Sequence, residues 1–415
     1  MDENAHRVEQ VDVLDAWQQA LAEVPQTPAL SGALLRRRAD LFGRFAAWYG
    51  RLRSRPRAEQ RRWQRQLGLS LAGIALLLAV NGAPAGAIGP AATIIVTNGA
   101  STVANGDGCS LPEAIVNANA NDQSGSTDCA AGSGADTISL QTNVTLTAVN
   151  NTTSGYNGLP VVSSDITIQG NGNTISRQAS SPTFRIMFVG SGGNLTLNNA
   201  TVSGGVAAGA AGISRYGGGI RVSNGTLSVH NSTISGNSAT NRGGAMFVNL
   251  GTVTVGSSTI SGNSATADAG GIGAISSSLA ISHSTISGNS AGGRGGGIYC
   301  VGNGTLLLDN STISGNSAIF DGGGIRVFEV TTTIANSTIS GNSAGRNGGG
   351  IENIDGISFT LRNSIVALQT AGADCFNFRA TISGGYNIES GTSCGFTGPG
   401  DLQNQNAAAL ALGAL

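Results

Sequence analysis

Two carboxylates in the repetitive part of the sequence have a spacing that could support acid/base chemistry. Asp268 and Asp321 occupy the same position of a 26- to 27-residue repeat, two repeats apart. If each repeat is one coil of a stacked β-structure, they lie about 9.6 Å apart, at roughly 4.8 Å per coil. An inverting glycosidase separates its carboxyl groups by roughly 6.5–9.5 Å, and clustered carboxylates can also bind Ca²⁺. Polysaccharide cleavage is therefore one alternative for this pair.

The residue between the two aspartates favours a structural role. In register, this position holds Tyr216, Arg242, Asp268, Arg294, Asp321 and Asn347. Arginine thus fills the gap in which a substrate bond would have to lie. Alternating Arg and Asp predict a surface ladder of ion pairs, each worth about 0.2–1 kcal/mol. Glycan binding along the ladder is a further alternative.

A second column of outward-facing positions predicts a binding surface. Its members are Arg221, Phe247, Gly273, Tyr299, Arg326 and Glu352. We expect the rings of Phe247 and Tyr299 to be exposed beside Arg221 and Arg326, where they could stack on a sugar or on a protein. The loop residues Phe320 and Phe328 would extend this surface. The alternative is the ordinary decoration of a strand face.

One repeating unit positions all of these residues. The phrase Ser-Thr-Ile-Ser-Gly-Asn-Ser-Ala occurs five times, and a Gly-Gly-(Gly)-Ile phrase, with Met in place of Ile once, recurs with the same period. Apolar residues alternate at period two, as in Ile220 and Val222 followed by Leu227 and Val229, which predicts three short strands per unit. The fold class is therefore all-β: a single-stranded, right-handed parallel β-helix with about 26 residues per coil. We expect a helical N-terminal extension and a signal segment before it.

Recurring asparagine and five cysteines add to this scheme. The turn asparagine of each unit predicts stacked amides that hydrogen-bond along the column; its members are Asn237, Asn263, Asn289, Asn316 and Asn342. The spacing of the cysteines predicts two local disulfides, Cys109 with Cys129 and Cys375 with Cys394, in an oxidising compartment. Cys300 falls in an inward column and is expected to be a buried free thiol.

Composition excludes several classes of protein. Glycine contributes 64 residues and charged residues only 11 %, whereas a typical soluble domain carries about 25 % charged residues. Every basic residue is arginine, and the net charge is +4 up to Arg65 and −5 beyond it. An acidic body without a basic stripe argues against nucleic acid as a partner. Neither the cysteines nor the scattered histidines have metal-ligand spacing, so we expect no metal and no cofactor.

The N-terminal part is typical of a targeting segment. Residues 67–80 form an uncharged run that follows Arg61, Arg62 and Arg65, which suits a signal peptide better than a membrane span. The Ala85-x-Ala87 pattern predicts cleavage after Ala87. Residues 1–66 are long for such a leader and show the spacing of an amphipathic helix. A wrongly assigned start codon and an uncleaved signal-anchor are the alternatives.

Two stretches resemble known families. The stretch from Cys109 to Asn119 reads Cys-Ser-Leu-Pro-Glu-Ala-Ile-Val-Asn-Ala-Asn and is similar to the CSLREA domain of exported bacterial β-helix proteins, with Pro112 where that family has Arg. The repeat of roughly 190–366 resembles that of polymorphic outer membrane proteins, which are surface adhesin-type β-helices. The resemblance implies a pectate-lyase-like fold, which polysaccharide lyases share. It also implies a Gly/Pro-rich segment beyond the C-terminal region, and the sequence stops at Leu415.

These observations predict five parts: an Arg-rich helical extension (1–66), a signal segment (67–87), a CSLREA-like cap (88–140), the β-helix (141–366) and a disulfide-containing C-terminal region (367–415), which we expect to be truncated. We expect a secreted or cell-surface protein with a structural or adhesive role and no catalytic activity. A surface glycan or a protein is the expected partner, and a membrane only through an uncleaved signal-anchor. The alternative is a polysaccharide lyase or glycoside hydrolase.

Overall fold

The computed structural model describes residues 91–209, 212–355, 357–377, 382–410 and 412. The predictions for the extension (1–66) and for the signal segment (67–87) therefore lie outside the described residues.

Each repeat builds one coil of a parallel β-helix, as the sequence predicts. The first full repeat contains four strands instead of the three expected: Ile220–Ser223, Thr226–His230, Thr233–Ser235 and Ser238–Ala239. The third expected strand is divided at Gly236, whose φ of 62° turns the chain. Glycine adopts this left-handed conformation without steric cost.

The coils stack into three parallel sheets. The longest has 17 strands, usually two per coil: Thr93–Val96, Asp136–Leu140, Asp165–Gln169, Met187–Val189, Asn194–Asn198, Ile220–Ser223, Thr226–His230, Met246–Asn249, Thr252–Gly256, Ile272–Ile275, Ser278–Ser282, Ile298–Asp309, Ile325–Ala335, Ile351–Ile354, Ser358–Arg362, Cys375–Asn377 and Ile382–Ser383.

The second sheet has ten strands and the third has six. The ten strands are Val144–Leu146, Thr174–Arg177, Thr201–Ser203, Thr233–Ser235, Thr259–Ser261, Thr285–Ser287, Thr312–Ser314, Thr338–Ser340, Ile365–Ala367 and Ile388–Glu389. The six strands are Val206–Ala207, Ser238–Ala239, Ser264–Ala265, Ser290–Ala291, Ser317–Ala318 and Ser343–Ala344.

The register between coils is the one that the repeat predicts. Ile220 pairs with Met246 and Val222 with Val248, and the equivalent positions continue along the solenoid. The isoleucines of the five-fold phrase are completely buried: Ile234, Ile260, Ile286, Ile313 and Ile339. Burying a side chain of this size stabilises the fold by about 1.5–3 kcal/mol. All five isoleucines belong to one hydrophobic core that continues from coil to coil.

An α-helix, Leu111–Ala120, packs against the first strands of the solenoid. Glu113 Oε2 accepts a hydrogen bond of 2.9 Å from the backbone N–H of Ser110 at the helix start, which satisfies a donor that the helix leaves open. Pro112 lies in the first turn, where its missing N–H costs no helical bond.

Two smaller helical segments are Gly212–Arg215, a 3₁₀-helix, and Ala407–Leu410. Within the described part of the chain, no helix is long and apolar enough to span a bilayer.

Both predicted disulfides are confirmed. Cys109 bonds Cys129 and Cys375 bonds Cys394, with Cα atoms 4.7 and 4.8 Å apart. Disulfides of this kind form and persist in oxidising compartments. Cys300 is a buried free thiol, and burial raises its pKa to about 12.

Candidate binding surface

The two columns found in the sequence lie against each other. We call Tyr216, Arg242, Asp268, Arg294, Asp321 and Asn347 the outer column, and Arg221, Phe247, Gly273, Tyr299, Arg326 and Glu352 the strand column. A left-handed turn residue follows each outer-column residue and folds the chain back over the strand; it is glycine except at Ala269, which has a φ of 63°. Gly295 in this turn has a φ of 67°, and a Cβ there would lie only 2.7 Å from Tyr299 Cβ. The outer column therefore forms a second layer outside the long sheet.

The prediction that the rings and arginines of the strand column are exposed is wrong. Phe247 is 3 % exposed and Tyr299 6 %, and Arg221 and Arg326 are also buried. The ring of Tyr216 stacks on that of Phe247 with centroids 4.6 Å apart. These rings face outward from the sheet, but the second layer covers them, so they cannot form the sugar-stacking surface that the sequence predicts.

Arginine covers the second ring of the strand column. The guanidinium carbon of Arg326 lies 5.2 Å from the centre of the Tyr299 ring, and that of Arg242 lies 5.7 Å from it. Arg242 comes from two coils away and crosses the coil of Gly273, which has no side chain. Such cation–π contacts are each worth about 0.5–2 kcal/mol.

The strand column ends in a buried ion pair between Arg326 Nε and Glu352 Oε2. Burial raises the pKa of Glu352, and the charge of Arg326 opposes that shift. Glu352 is 1 % exposed. An ion pair that is removed from water depends on both partners, because loss of one leaves an uncompensated charge.

At the other end, Arg221 lies near a buried arginine that sequence reasoning missed. Arg185 donates from Nη2 to the carbonyl of Tyr216 at 2.9 Å and from Nη1 to Asn157 Oδ1 at 2.9 Å. Burial, with repulsion from Arg221, lowers its pKa to about 9. Arg185 precedes the regular repeats, so the period gave no signal for it.

The outer column contains the ion pairs that its alternating charges predict. Arg242 Nε lies 3.0 Å from Asp268 Oδ2, and Arg294 Nε lies 3.2 Å from Asp321 Oδ2. Asp321 also accepts from Arg346 Nη2 at 3.1 Å. The two aspartates are buried, whereas the side chains of Arg242 and Arg294 are 30 % and 41 % exposed. The expectation of fully exposed pairs is therefore wrong for the carboxylates.

Both oxygens of each carboxylate are engaged by the protein. Asp268 Oδ1 accepts from the backbone N–H of Arg294 at 3.1 Å, in addition to the ion pair at its Oδ2. Asp321 Oδ1 accepts from Asn347 Nδ2 at 3.2 Å. Arg294 thus lies between the two aspartates that were the candidates for catalysis and contacts both.

The exposed apolar residues of this region lie at the corner that precedes the outer column. Ile319 is 63 % and Phe320 42 % exposed, and the Arg346 guanidinium carbon lies 4.4 Å from the Phe320 ring centre. At this corner the preceding coil has Gly292 and Gly293, and the following coil has Gly345 and Arg346. Phe328, the other predicted loop residue, is only half-buried and lies in the strand Ile325–Ala335.

A separate groove of about 460 Å³ lies beside the second disulfide and includes Asp374, Ser390 and Thr392 in its lining. Asp374 Oδ2 accepts from the hydroxyl of Ser390 at 2.6 Å and from the backbone N–H groups of Ser390 and Gly391. The carboxylate holds its own loop in place. Among the described residues, no three His, Cys, Asp or Glu side chains are grouped so as to hold a metal ion.

The predicted asparagine hydrogen bonds are present inside the turn. Asn263 Nδ2 donates to Asn289 Oδ1 at 2.9 Å, and Asn289 Nδ2 donates to Asn316 Oδ1 at 2.9 Å. Each Oδ1 also accepts the backbone N–H of the asparagine in the preceding coil, as Asn289 does from Asn263 at 3.0 Å. The column continues from Asn342 to Gln369 Oε1.

A parallel serine column was not recognised in the sequence. The backbone N–H of Ser258 donates to Ser284 Oγ at 3.1 Å, and that of Ser284 donates to Ser311 Oγ at 3.2 Å. The first serine of the five-fold phrase was the available signal. It repeats in all five units, directly after the residue that turns the chain.

A model of the family described as "Right handed beta helix region" matches residues 187–328 and 218–388. The solenoid is a right-handed β-helix. No curated protein and no solved structure matches the chain. The right-handed β-helix is thus supported by the register and by the family model, whereas the resemblances to the CSLREA domain and to polymorphic outer membrane protein repeats stay predictions.

Proposed function

We propose that this right-handed β-helix is exported and acts at the cell surface or as a secreted protein, in a structural or adhesive role and without catalysis. The observation that carries the proposal is the burial of Asp268 and Asp321 and their bonding to arginine. This arrangement holds coils together and leaves neither carboxylate free to transfer a proton.

The disulfides support the proposed location. Cys109–Cys129 fixes the first helix near one end of the solenoid, and Cys375–Cys394 lies near the other. Cross-links at both ends protect a repeat protein where it frays, because terminal coils have only one neighbour. A protein outside the cell benefits from this protection, and an oxidising compartment of that kind lets its disulfides persist.

Polysaccharide cleavage is the second candidate. It is favoured by the fold and by the two-coil spacing of Asp268 and Asp321. Arg294 contacts both aspartates. In a lyase or hydrolase it would have to release them when substrate binds.

Export and binding are tested separately. N-terminal sequencing of the exported protein should give a mature chain that begins at Ile88, after cleavage behind Ala87. A mature chain that begins at Met1 would contradict cleavage and favour a signal-anchor.

For binding, beads coated with the exported protein should attach to cells or to their extracellular matrix more than beads coated with heat-unfolded protein. Equal attachment would contradict the adhesive role.

A further inference from the structure

Three arginines of the outer layer keep guanidinium nitrogens directed away from their aspartates. Arg242 and Arg294 each bind an aspartate through Nε alone, and within the described residues their Nη atoms make no hydrogen bond. Arg346 binds Asp321 through Nη2 only. Their side chains are 30 %, 41 % and 52 % exposed. Each guanidinium is therefore oriented by a buried carboxylate while part of its hydrogen-bonding fork faces solvent.

These arginines recur along the solenoid at a regular interval. Arg242 and Arg294 are two coils apart, about 9.6 Å at roughly 4.8 Å per coil. Arg346 is on the coil two further along, at the corner position one residue before Asn347 of the outer column. A row of cations with this repeat fits a linear polymer that carries anionic groups on one side at a regular spacing. A guanidinium fork binds a carboxylate or sulfate through two parallel N–H···O bonds.

An exposed ring lies within this row. Phe320 is on the coil between Arg294 and Arg346; Gly293 has the same position on the preceding coil and Arg346 on the following one, so the ring is open on the Gly293 side and contacted by Arg346 on the other. A Cβ at Gly293 would lie 2.6 Å from Asp268 Oδ1, so no larger residue fits there without a shift. The apolar face of a sugar can pack on Phe320 while its acidic groups reach the arginines.

We propose that this surface, the arginine ridge formed by Arg242, Arg294, Arg346, Ile319 and Phe320, binds an extended acidic polysaccharide with carboxylate or sulfate groups. The inference rests on the proposed adhesive function and names its ligand class. It also replaces the buried pair Phe247 and Tyr299 with an exposed aromatic and cationic site. A single ring among three arginines fits a saccharide chain better than single-stranded nucleic acid, which stacks successive bases on several rings.

The test measures binding of the full-length protein to defined polymers. The probes are polymannuronate for carboxylate, dextran sulfate for sulfate, unmodified dextran as the neutral polymer and polyglutamate as the acidic polypeptide. The proposal predicts binding to one or both acidic polysaccharides that weakens as salt is raised, with at most weak binding to dextran and polyglutamate. Binding to polyglutamate as tight as to either polysaccharide would overturn it in favour of an acidic protein partner.

Variants then locate the site. Arg294→Gln and Phe320→Ala should each weaken binding about tenfold, as expected for loss of a charge-assisted bond or of a ring contact. Arg294→Lys keeps the charge and the ion pair with Asp321 but loses the fork, so it should also bind more weakly. Arg362→Gln is the matched control, because Arg362 is exposed and lies on a different face, at the end of the strand Ser358–Arg362.

The outcomes separate this inference from the proposed function. Equal losses in Arg294→Gln and Arg362→Gln would overturn the arginine ridge, since a non-specific charge effect would then explain binding. Failure of every acidic polysaccharide to bind, with bead attachment to cells intact, would overturn the ligand class and leave the adhesive role standing. Thermal unfolding of each variant confirms that lost binding does not reflect an unfolded chain.

Discussion

Arg294 Nε and Asp321 Oδ2 lie 3.2 Å apart across adjacent coils, and the arginine is half-exposed while the aspartate is buried. Arg294 also donates its backbone N–H to Asp268 on its other side. One residue thus joins three successive coils of the second layer. A charge arrangement that could have indicated an active site instead links the coils outside the long sheet.

Replacing Asp321 should destabilise the protein more than an exposed ion pair would. Asp321→Asn removes a charge that is bonded to Arg294, Arg346 and Asn347, and hydrogen bonds to charged groups contribute about 1.5–3 kcal/mol each. We expect a loss of about 1–3 kcal/mol in the free energy of unfolding, measured by urea denaturation. Glu329→Gln, at an exposed position, should change it by less than about 0.5 kcal/mol. Equal effects would show that the second layer contributes little.

The asparagine column makes a second prediction. Asn289→Ala removes the acceptor of the Asn263 side chain and of the Asn263 backbone N–H. Leaving a buried donor without a partner costs about 1–3 kcal/mol, so we expect a destabilisation of at least that size. Ser290→Ala, one residue along and exposed, is the control and should be nearly neutral. An Asn289→Ala variant as stable as this control would mean that the amides do not stabilise the stack.

Burial of the aromatic rings makes a third prediction. Phe247→Ala removes the ring that stacks on Tyr216 and should cost about 3 kcal/mol, as for other large-to-small changes at buried sites. If Phe247 were an exposed ligand contact, the variant would keep its thermal midpoint and lose only binding. The measurement is therefore the thermal midpoint and the affinity for the acidic polymer on the same protein sample.

Stability should depend on pH through Glu352. The pKa of this carboxyl is raised above its ordinary value of 4.5 in the folded chain, so the folded state binds the proton more tightly than the unfolded state does. This contribution to stability is fully present below pH 4.5 and is lost as the pH rises through the raised pKa. In Glu352→Gln the decline above pH 4.5 should be shallower, as measured by urea midpoints across the pH range. An unchanged decline would contradict this origin.

Sequence reasoning identified the columns but not the layer that covers them. A period of 26–27 residues fixes which residues stack, so the Arg–Asp contacts and the asparagine bonds followed from the register. Period-two alternation, however, reports only whether a side chain points into or out of the sheet. Phe247 and Tyr299 do point outward, and they are buried because the turns of earlier coils place Tyr216 over Phe247 and Arg242 over Tyr299.

The signal for this second layer was present in the glycines. Gly243 and Gly295 have positive φ, and a Cβ at Gly243 would lie 2.9 Å from Phe247 Cβ. A glycine that recurs four residues before an outward aromatic therefore indicates close approach of the backbone as well as a turn. The exposed aromatic residue of this region is instead Phe320, one residue before Asp321 of the outer column.

The most direct test of the account is turnover of polysaccharide by the wild-type protein and by Asp268→Asn and Asp321→Asn. Reducing-end release and ultraviolet absorbance of unsaturated products should be measured on a panel of acidic and neutral polysaccharides, with and without Ca²⁺. The account predicts no turnover by any of the three proteins, together with lower stability of both variants. Turnover by the wild-type protein that both variants lose while remaining folded would contradict it and establish the lyase or hydrolase alternative.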